Sequence, residues 1–189
     1  MLSEVIEAMS VAEFEDFVTQ PHNITRNFEW IAGEIVEKMV AHPLSARTTM
    51  ALGSFVTVFV INHNLGVVSS AEGGYVVSGE RYIPDCAFLS NAKRHAPSKD
   101  GYVLVAPDLA IEVVSPTDQK GDITSKVANY LAAGTVVWLV RPIEKTVHVY
   151  QANQPVKVYH QNDTLLGGDV LPGFSLTLKL IFQNDENLA

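Results

Sequence analysis

Residues 107–140, PDLAIEVVSPTDQKGDITSKVANYLAAGTVVWLV, constrain the fold of this chain more than any other stretch. They read as strand, loop, helix, strand. Residues 109–114 are an apolar run bounded by Pro107 and by Ser115-Pro116, the pattern of a fully buried strand, and residues 136–140 are a second such run. Between them Ile123, Lys126, Val127, Tyr130 and Leu131 fall at i, i+3, i+4, i+7 and i+8, one apolar stripe of a helix. One member of that stripe is a lysine, so its ammonium faces the sheet. The first strand has its own exception, Glu112, set among Leu109, Ala110, Ile111, Val113 and Val114. A buried carboxylate and a buried ammonium on adjacent elements are costly unless they meet each other or a ligand.

A third ionisable residue falls where a core residue would be ordinary. Asp85 lies in RYIPDCAFL, residues 81–89, which reads as one strand with Ile83, Ala87 and Leu89 on the same side as Asp85. Two carboxylates on neighbouring strands can converge on one divalent cation, and hard oxygen donors favour Mg²⁺, Mn²⁺ or Ca²⁺ over Zn²⁺. A lysine beside them can orient water or offset charge developing on a phosphate. Asp108 sits four residues before Glu112, about 13 Å along an extended strand, too far to share an ion, so it is read as fixing the strand entry. The bland readings stand beside these. Glu112 and Lys126 can be a structural ion pair, Asp85 can be a strand-entry aspartate after Pro84, and Tyr130 and Trp138 read as core. The six histidines show no zinc-ligand spacing, and Gly73-Gly74 is a turn with no phosphate-loop context. Lys93, Arg94 and Lys99 form a small basic cluster in a loop placed beside the site, where a phosphate contact is the sharper reading and a solvated loop the plainer one.

The rest of the chain reads as one domain over residues 1–189, with 47% hydrophobic and 18% charged residues, a globular balance. Residues 10–20 predict a short helix with Ser10 and Glu13 as a capping box. Residues 28–38 predict a hairpin turning at Ala32-Gly33. Residues 44–62 predict a helix opened by Pro43. Residues 66–77 predict two short strands around Glu72-Gly73-Gly74, and residues 146–150 a strand pairing with 157–160. The turn-rich segment 167–178 is expected to close the sheet. No apolar run reaches the roughly 18 residues needed to span a bilayer, so no membrane partner is expected. The acidic N-terminus lacks the basic region of a secretory signal, and the single cysteine, Cys86, fits a reducing cytoplasm and a core position. A net charge of −8 weighs against a broad basic surface for nucleic acid, but leaves room for a local patch or a metal that offsets the acids.

Several blocks taken together, FEWIAGEIVEKM, ERYIPDCAFLS, PDLAIEVVSPTD, and DITSKVANYLAAGTVVWLVRP with TVHVY, resemble the Uma-type family of restriction endonucleases within the PD-(D/E)XK nuclease-like superfamily. The resemblance implies a mixed α/β fold: a restriction endonuclease-like core, a central mixed β-sheet flanked by helices, with an additional N-terminal hairpin. It implies a phosphodiesterase site dependent on Mg²⁺ or Mn²⁺. Asp85 matches the motif aspartate and Glu112 the acid of the third motif, and these two would ligate the metal. The lysine usually found two residues after that acid is replaced by Val114. Lys126 matches the helical position where relatives keep a migrated basic or polar group. Glu29 matches the hairpin glutamate and joins the catalytic candidates, although the residues alone place it on the exposed side of the hairpin. Arg47 falls where many members have histidine, and Arg141 where relatives often have aspartate. The function implied is DNA phosphodiester hydrolysis by a homodimer, since cutting both strands needs two sites. The alternative is a non-catalytic nucleic-acid- or protein-binding, regulatory module that keeps the fold. No separate DNA-reading motif such as a helix-turn-helix is present.

Overall fold

The computed structural model of the chain describes residues 9–93, 101–115 and 120–182. At its centre strand β7 (Leu109–Val113) leads through helix α3 (Lys120–Ala132) to strand β8 (Val136–Arg141). The two strands pair in parallel, with Leu109 opposite Val136 and Glu112 opposite Leu139. The helix makes that possible: a parallel pair needs a long crossover, and an amphipathic helix supplies it while covering one sheet face. Gly134, at φ 78°, takes the left-handed position just past the helix, and Thr135 donates its N–H back to the Tyr130 carbonyl at 2.9 Å.

Around this unit a six-stranded mixed sheet is ordered β10-β9-β8-β7-β6-β3, where β3 is Gly66–Ser70, β6 is Cys86–Ser90, β9 is Thr146–Tyr150 and β10 is Lys157–His160. Period-two alternation divides it into two faces. Cys86, Phe88, Leu109, Ile111, Val113, Trp138 and Val140 meet Leu52, Val56 and Val60 of helix α2 (Pro43–Asn62). Ala87, Leu89, Ala110 and Val137 turn the other way, onto Val127 and Tyr130 of α3. Cys86 is buried, as expected, and burial pushes its thiol up to about 12.

A second sheet, ordered β2-β1-β5-β4, holds the hairpin β1 (Phe28–Ile31) and β2 (Glu34–Glu37) with β4 (Tyr75–Val77) and β5 (Glu80–Tyr82). The hairpin turns at Ala32 (φ 51°) and Gly33 (φ 86°), two left-handed residues in succession, as a two-residue loop between twisted strands demands. Helix α1 (Val11–Val18), capped reciprocally by Ser10 and Glu13, sets Phe14 against Phe28, Ile83 and Tyr102 in a small separate core.

Three expectations are corrected. Residues 81–89 are not one strand: β5 and β6 belong to different sheets, and the chain breaks at Ile83-Pro84-Asp85, where the proline offers no N–H to a ladder. The two strands expected within residues 66–77 are both present, β3 in the large sheet and β4 in the small one. The segment 167–178 does not close the sheet. Its strand β12 (Ser175–Thr177) pairs instead with β11 (Thr164–Leu166) in a two-stranded ribbon, and Leu165, Leu171, Phe174 and Leu176 join the core under α2. Finally, α2 is long and apolar enough to cross a membrane by length and composition, with mean hydropathy 1.5, because its Ser, Thr and Gly residues interrupt the apolar run without lowering its average far. Leu52, Val56 and Val60 are buried on the sheet, while Met50, Val58 and Ile61 stand exposed.

Candidate active site

The two sheets meet where β5 gives way to β6, and the ionisable residues gather there. Pro84 ends the ladder of one sheet, and Asp85 is the last residue before the other begins. The antiparallel register of β6 on β7 sets Cys86 opposite Ile111 and Ala87 opposite Ala110, so one step further Asp85 faces Glu112. Asp85 Oδ2 accepts the Val113 N–H at 2.8 Å, which fixes the carboxylate at the end of β7. Glu112 Oε1 accepts the Tyr130 hydroxyl at 2.9 Å, its one hydrogen-bond partner among the described residues. Tyr130 is therefore core, as expected, and also a support of the site. It lies four residues beyond Lys126, so the same helical stripe presents both side chains to the strand ends.

Lys126 does not form the expected pair with Glu112. Its ammonium sits on Glu29, 2.8 Å from Oε1 and 2.6 Å from Oε2, and lies 5.6 Å from the centre of the Tyr82 ring. Glu29 is not on the exposed side of the hairpin either: its side chain is 3% exposed. The small sheet folds over the α3 face of the large one, so the hairpin residue that alternation alone would put outside is covered. Glu29 Oε1 also accepts the Ile83 N–H at 2.9 Å.

One site residue was missed by sequence reasoning. Lys38, just past β2, donates to Asp85 Oδ1 at 3.0 Å and to the Ile83 carbonyl at 2.7 Å. The main chain of Ile83 is thus held on both sides, its N–H by Glu29 and its carbonyl by Lys38. No sequence signal marked Lys38, since a lysine closing a hairpin is ordinary and only the fold brings it to Asp85.

The centre holds three carboxylates, Glu29, Asp85 and Glu112, against two ammoniums, Lys38 and Lys126, an excess of one negative charge when all are ionised. The strain falls on Glu112. It is the β7 residue that keeps some contact with solvent, yet burial raises its carboxyl to about 7; Asp85 and Glu29 push the same way, while Lys126 and Lys38 pull it down. Burial alone would lower Lys126, but Glu112 and Glu29 outweigh it and hold the ammonium above its ordinary value. Lys38 is raised as well: burial opposes, and Asp85, Glu112 and Glu29 prevail.

The donor set suits a hard divalent cation. Two carboxylates face each other from neighbouring strands, and one resists ionising beside the other, a conflict that a dication relieves. Among the described residues no group of three or more His, Cys, Asp and Glu is placed to hold a metal, so Asp85 and Glu112 would form only part of a shell. Water, main-chain carbonyl or phosphate oxygens would complete it, as is usual for Mg²⁺.

The remaining candidates lie elsewhere. Arg47 is exposed on α2, the helix on the other face of the sheet, its Nε donating to the Pro43 carbonyl at 3.3 Å. Asp108 takes the Ser90 N–H at 2.7 Å and so fixes the entry to β7, as expected. Lys93 pairs with Asp108 at 3.2 Å, at the opposite end of β7 from Glu112, and so is not beside the site as expected. Arg94 and Lys99 lie outside the described residues. Arg141 reaches Glu144 at 3.6 Å.

The mixed sheet built on a strand–helix–strand crossover, with helices on its faces, is the expected restriction endonuclease-like core. The family model of Uma2, described as "Putative restriction endonuclease", matches residues 14–179, and the chain belongs to that family. A solved structure described as a putative nuclease belonging to DUF820, from Anabaena variabilis ATCC 29413, shares the fold: TM-score 0.73, 22% identity, covering 82% of this chain and 89% of that one. No curated protein matches the sequence.

Proposed function

We propose that this chain is an endonuclease that hydrolyses DNA phosphodiester bonds with Mg²⁺ or Mn²⁺. The observation that carries the reading is the placing of Asp85 across from Glu112, with the Lys126 ammonium close enough to act on both charges. Asp85 and Glu112 would hold the cation. Such an ion, when bound, lowers the pKa of a water and stabilises charge on phosphoryl oxygens. The side chains do the rest. Tyr130 fixes the Glu112 carboxylate, and the Val113 N–H fixes that of Asp85. Lys126, kept protonated by its acid neighbours, offers a permanent positive charge to a phosphate oxygen or to the attacking water. Glu29 serves as a positioning residue: it holds that ammonium by two hydrogen bonds and is itself tied to Ile83. Cutting a duplex calls for two such centres, so the active form in this reading is a symmetric pair of chains.

The test is plasmid cleavage in Mn²⁺ by the wild type and by Asp85→Ala. The wild type is expected to nick and linearise the plasmid, and the variant to lose at least about 100-fold in rate. Equal rates in the two would sink the assignment. The net charge of −8 and the engagement of both ammoniums by acids favour one other reading, a binding or regulatory module without turnover. Calorimetry separates the two, since that module has no use for Mn²⁺ and would take up none.

A further inference from the structure

The proposed chemistry leaves one ammonium of the centre without a task. Lys38 is anchored at its main chain, where its N–H donates to the Asn27 carbonyl at 2.9 Å. Its side chain is held differently from that of Lys126. The Lys126–Glu29 pair is the less exposed, with side chains 16% and 3% exposed, against 21% and 23% for Lys38 and Asp85. Beyond Lys38 the chain runs without regular structure through Met39 and Val40 to α2, and both of these are exposed. A four-carbon stem at the edge of such a segment has solvent within reach.

Asp85 has both oxygens engaged, and the two partners are not equivalent. The Val113 N–H on Oδ2 belongs to the sheet and cannot leave, while the ammonium on Oδ1 is carried by rotatable bonds. A dication on Asp85 would sit beside that ammonium, and two cations on one carboxylate oxygen repel strongly where solvent screens only in part. We propose that Lys38 is an internal counter-ion of Asp85 that a divalent cation has to displace, so that this side chain sets the metal affinity of the centre. This rests on the reading of Asp85 and Glu112 as cation ligands. With Lys38 on Asp85, the chain without metal balances one of its acids internally. With Lys38 swung to solvent, Oδ1 is released for the metal.

The experiment is Mn²⁺ titration calorimetry on the full chain, wild type against Lys38→Met, with melting curves in chelator and in saturating Mn²⁺. Removing the competitor should tighten Mn²⁺ binding about tenfold or more. It should lower Tm in chelator, where Asp85 loses its partner, and make the Mn²⁺-induced rise in Tm larger than in the wild type. A lysine with a purely structural role would lower Tm equally in both conditions. Mn²⁺ binding by the wild type that is unchanged or weaker in Lys38→Met overturns the counter-ion role and leaves the metal site standing. Binding by neither protein overturns both. Should Lys38→Met fail to fold, Lys38→Gln keeps a donor for the Ile83 carbonyl without the charge and is read in the same way.

Discussion

The residue that decides whether the centre is stable is Glu29, the carboxylate most deeply buried there. Lys126→Met would leave it facing Ile83 alone, and an uncompensated buried charge costs about 3–5 kcal/mol. Urea denaturation should show that loss, and Glu29→Gln combined with Lys126→Met should recover part of it, because an amide tolerates burial better than an ion. A double variant no more stable than the single one would mean that Glu29 does not depend on Lys126. Glu112 makes a separate prediction about pH. Its carboxyl titrates near 7 in the folded chain against an ordinary value of 4.5. Between those values the folded state binds the extra proton, so stability falls as pH rises through that window, by up to on the order of 3 kcal/mol. In chelator, Glu112→Gln should remove that fall, and superimposable profiles for the two proteins from about pH 5 to 8 would contradict it. The acid of β7 and the lysine of α3 were legible because each breaks an apolar pattern. Lys38 breaks none, and Glu29 looked exposed because alternation along a hairpin cannot report a second layer lying over it.

At the scale of elements, the hairpin of β1 and β2 carries Glu29 and ends next to Lys38, so its turn bears on the site. Ala32 holds a left-handed conformation that costs a residue with a Cβ roughly 1 kcal/mol, and Asn adopts it more readily. Ala32→Asn should therefore stabilise the chain by about 0.5–1 kcal/mol in chemical denaturation, and Ala32→Val should do the reverse. A stabilising valine would mean that the turn has another geometry. Most elements announced themselves locally: the capping box of α1, the Pro43 start of α2, the crossover through α3. What the sequence pattern hid was allegiance. RYIPDCAFL has strand composition throughout, yet its two halves serve different sheets, and local composition does not say which ladder a strand joins. That hidden break is what places Asp85 at a strand end facing Glu112.

Across the whole molecule, cohesion is uneven. Among the described residues, the core between α2 and the large sheet gathers eighteen buried residues from the helix, the sheet, the ribbon and the segment after it, and the small core beneath α1 four, Phe14, Phe28, Ile83 and Tyr102. Amides of β1 should thus exchange hydrogen by a lower-energy opening than those of Ile111 or Leu139, and native-state exchange across a denaturant series measures the gap. Equal opening energies would mean that the two sheets unfold as one. The family and its fold were readable from several blocks of sequence together, whereas the way the two layers enclose the centre was not, because it depends on contacts between segments far apart in the chain. The hairpin also brings the centre one acid and one base, Glu29 and Lys38, in equal number. Its detachment would leave Asp85, Glu112 and Lys126 behind with the same total charge as before. Added salt should then favour that opening through the two ion pairs it screens, Lys38 with Asp85 and Lys126 with Glu29, and not through any change in net charge.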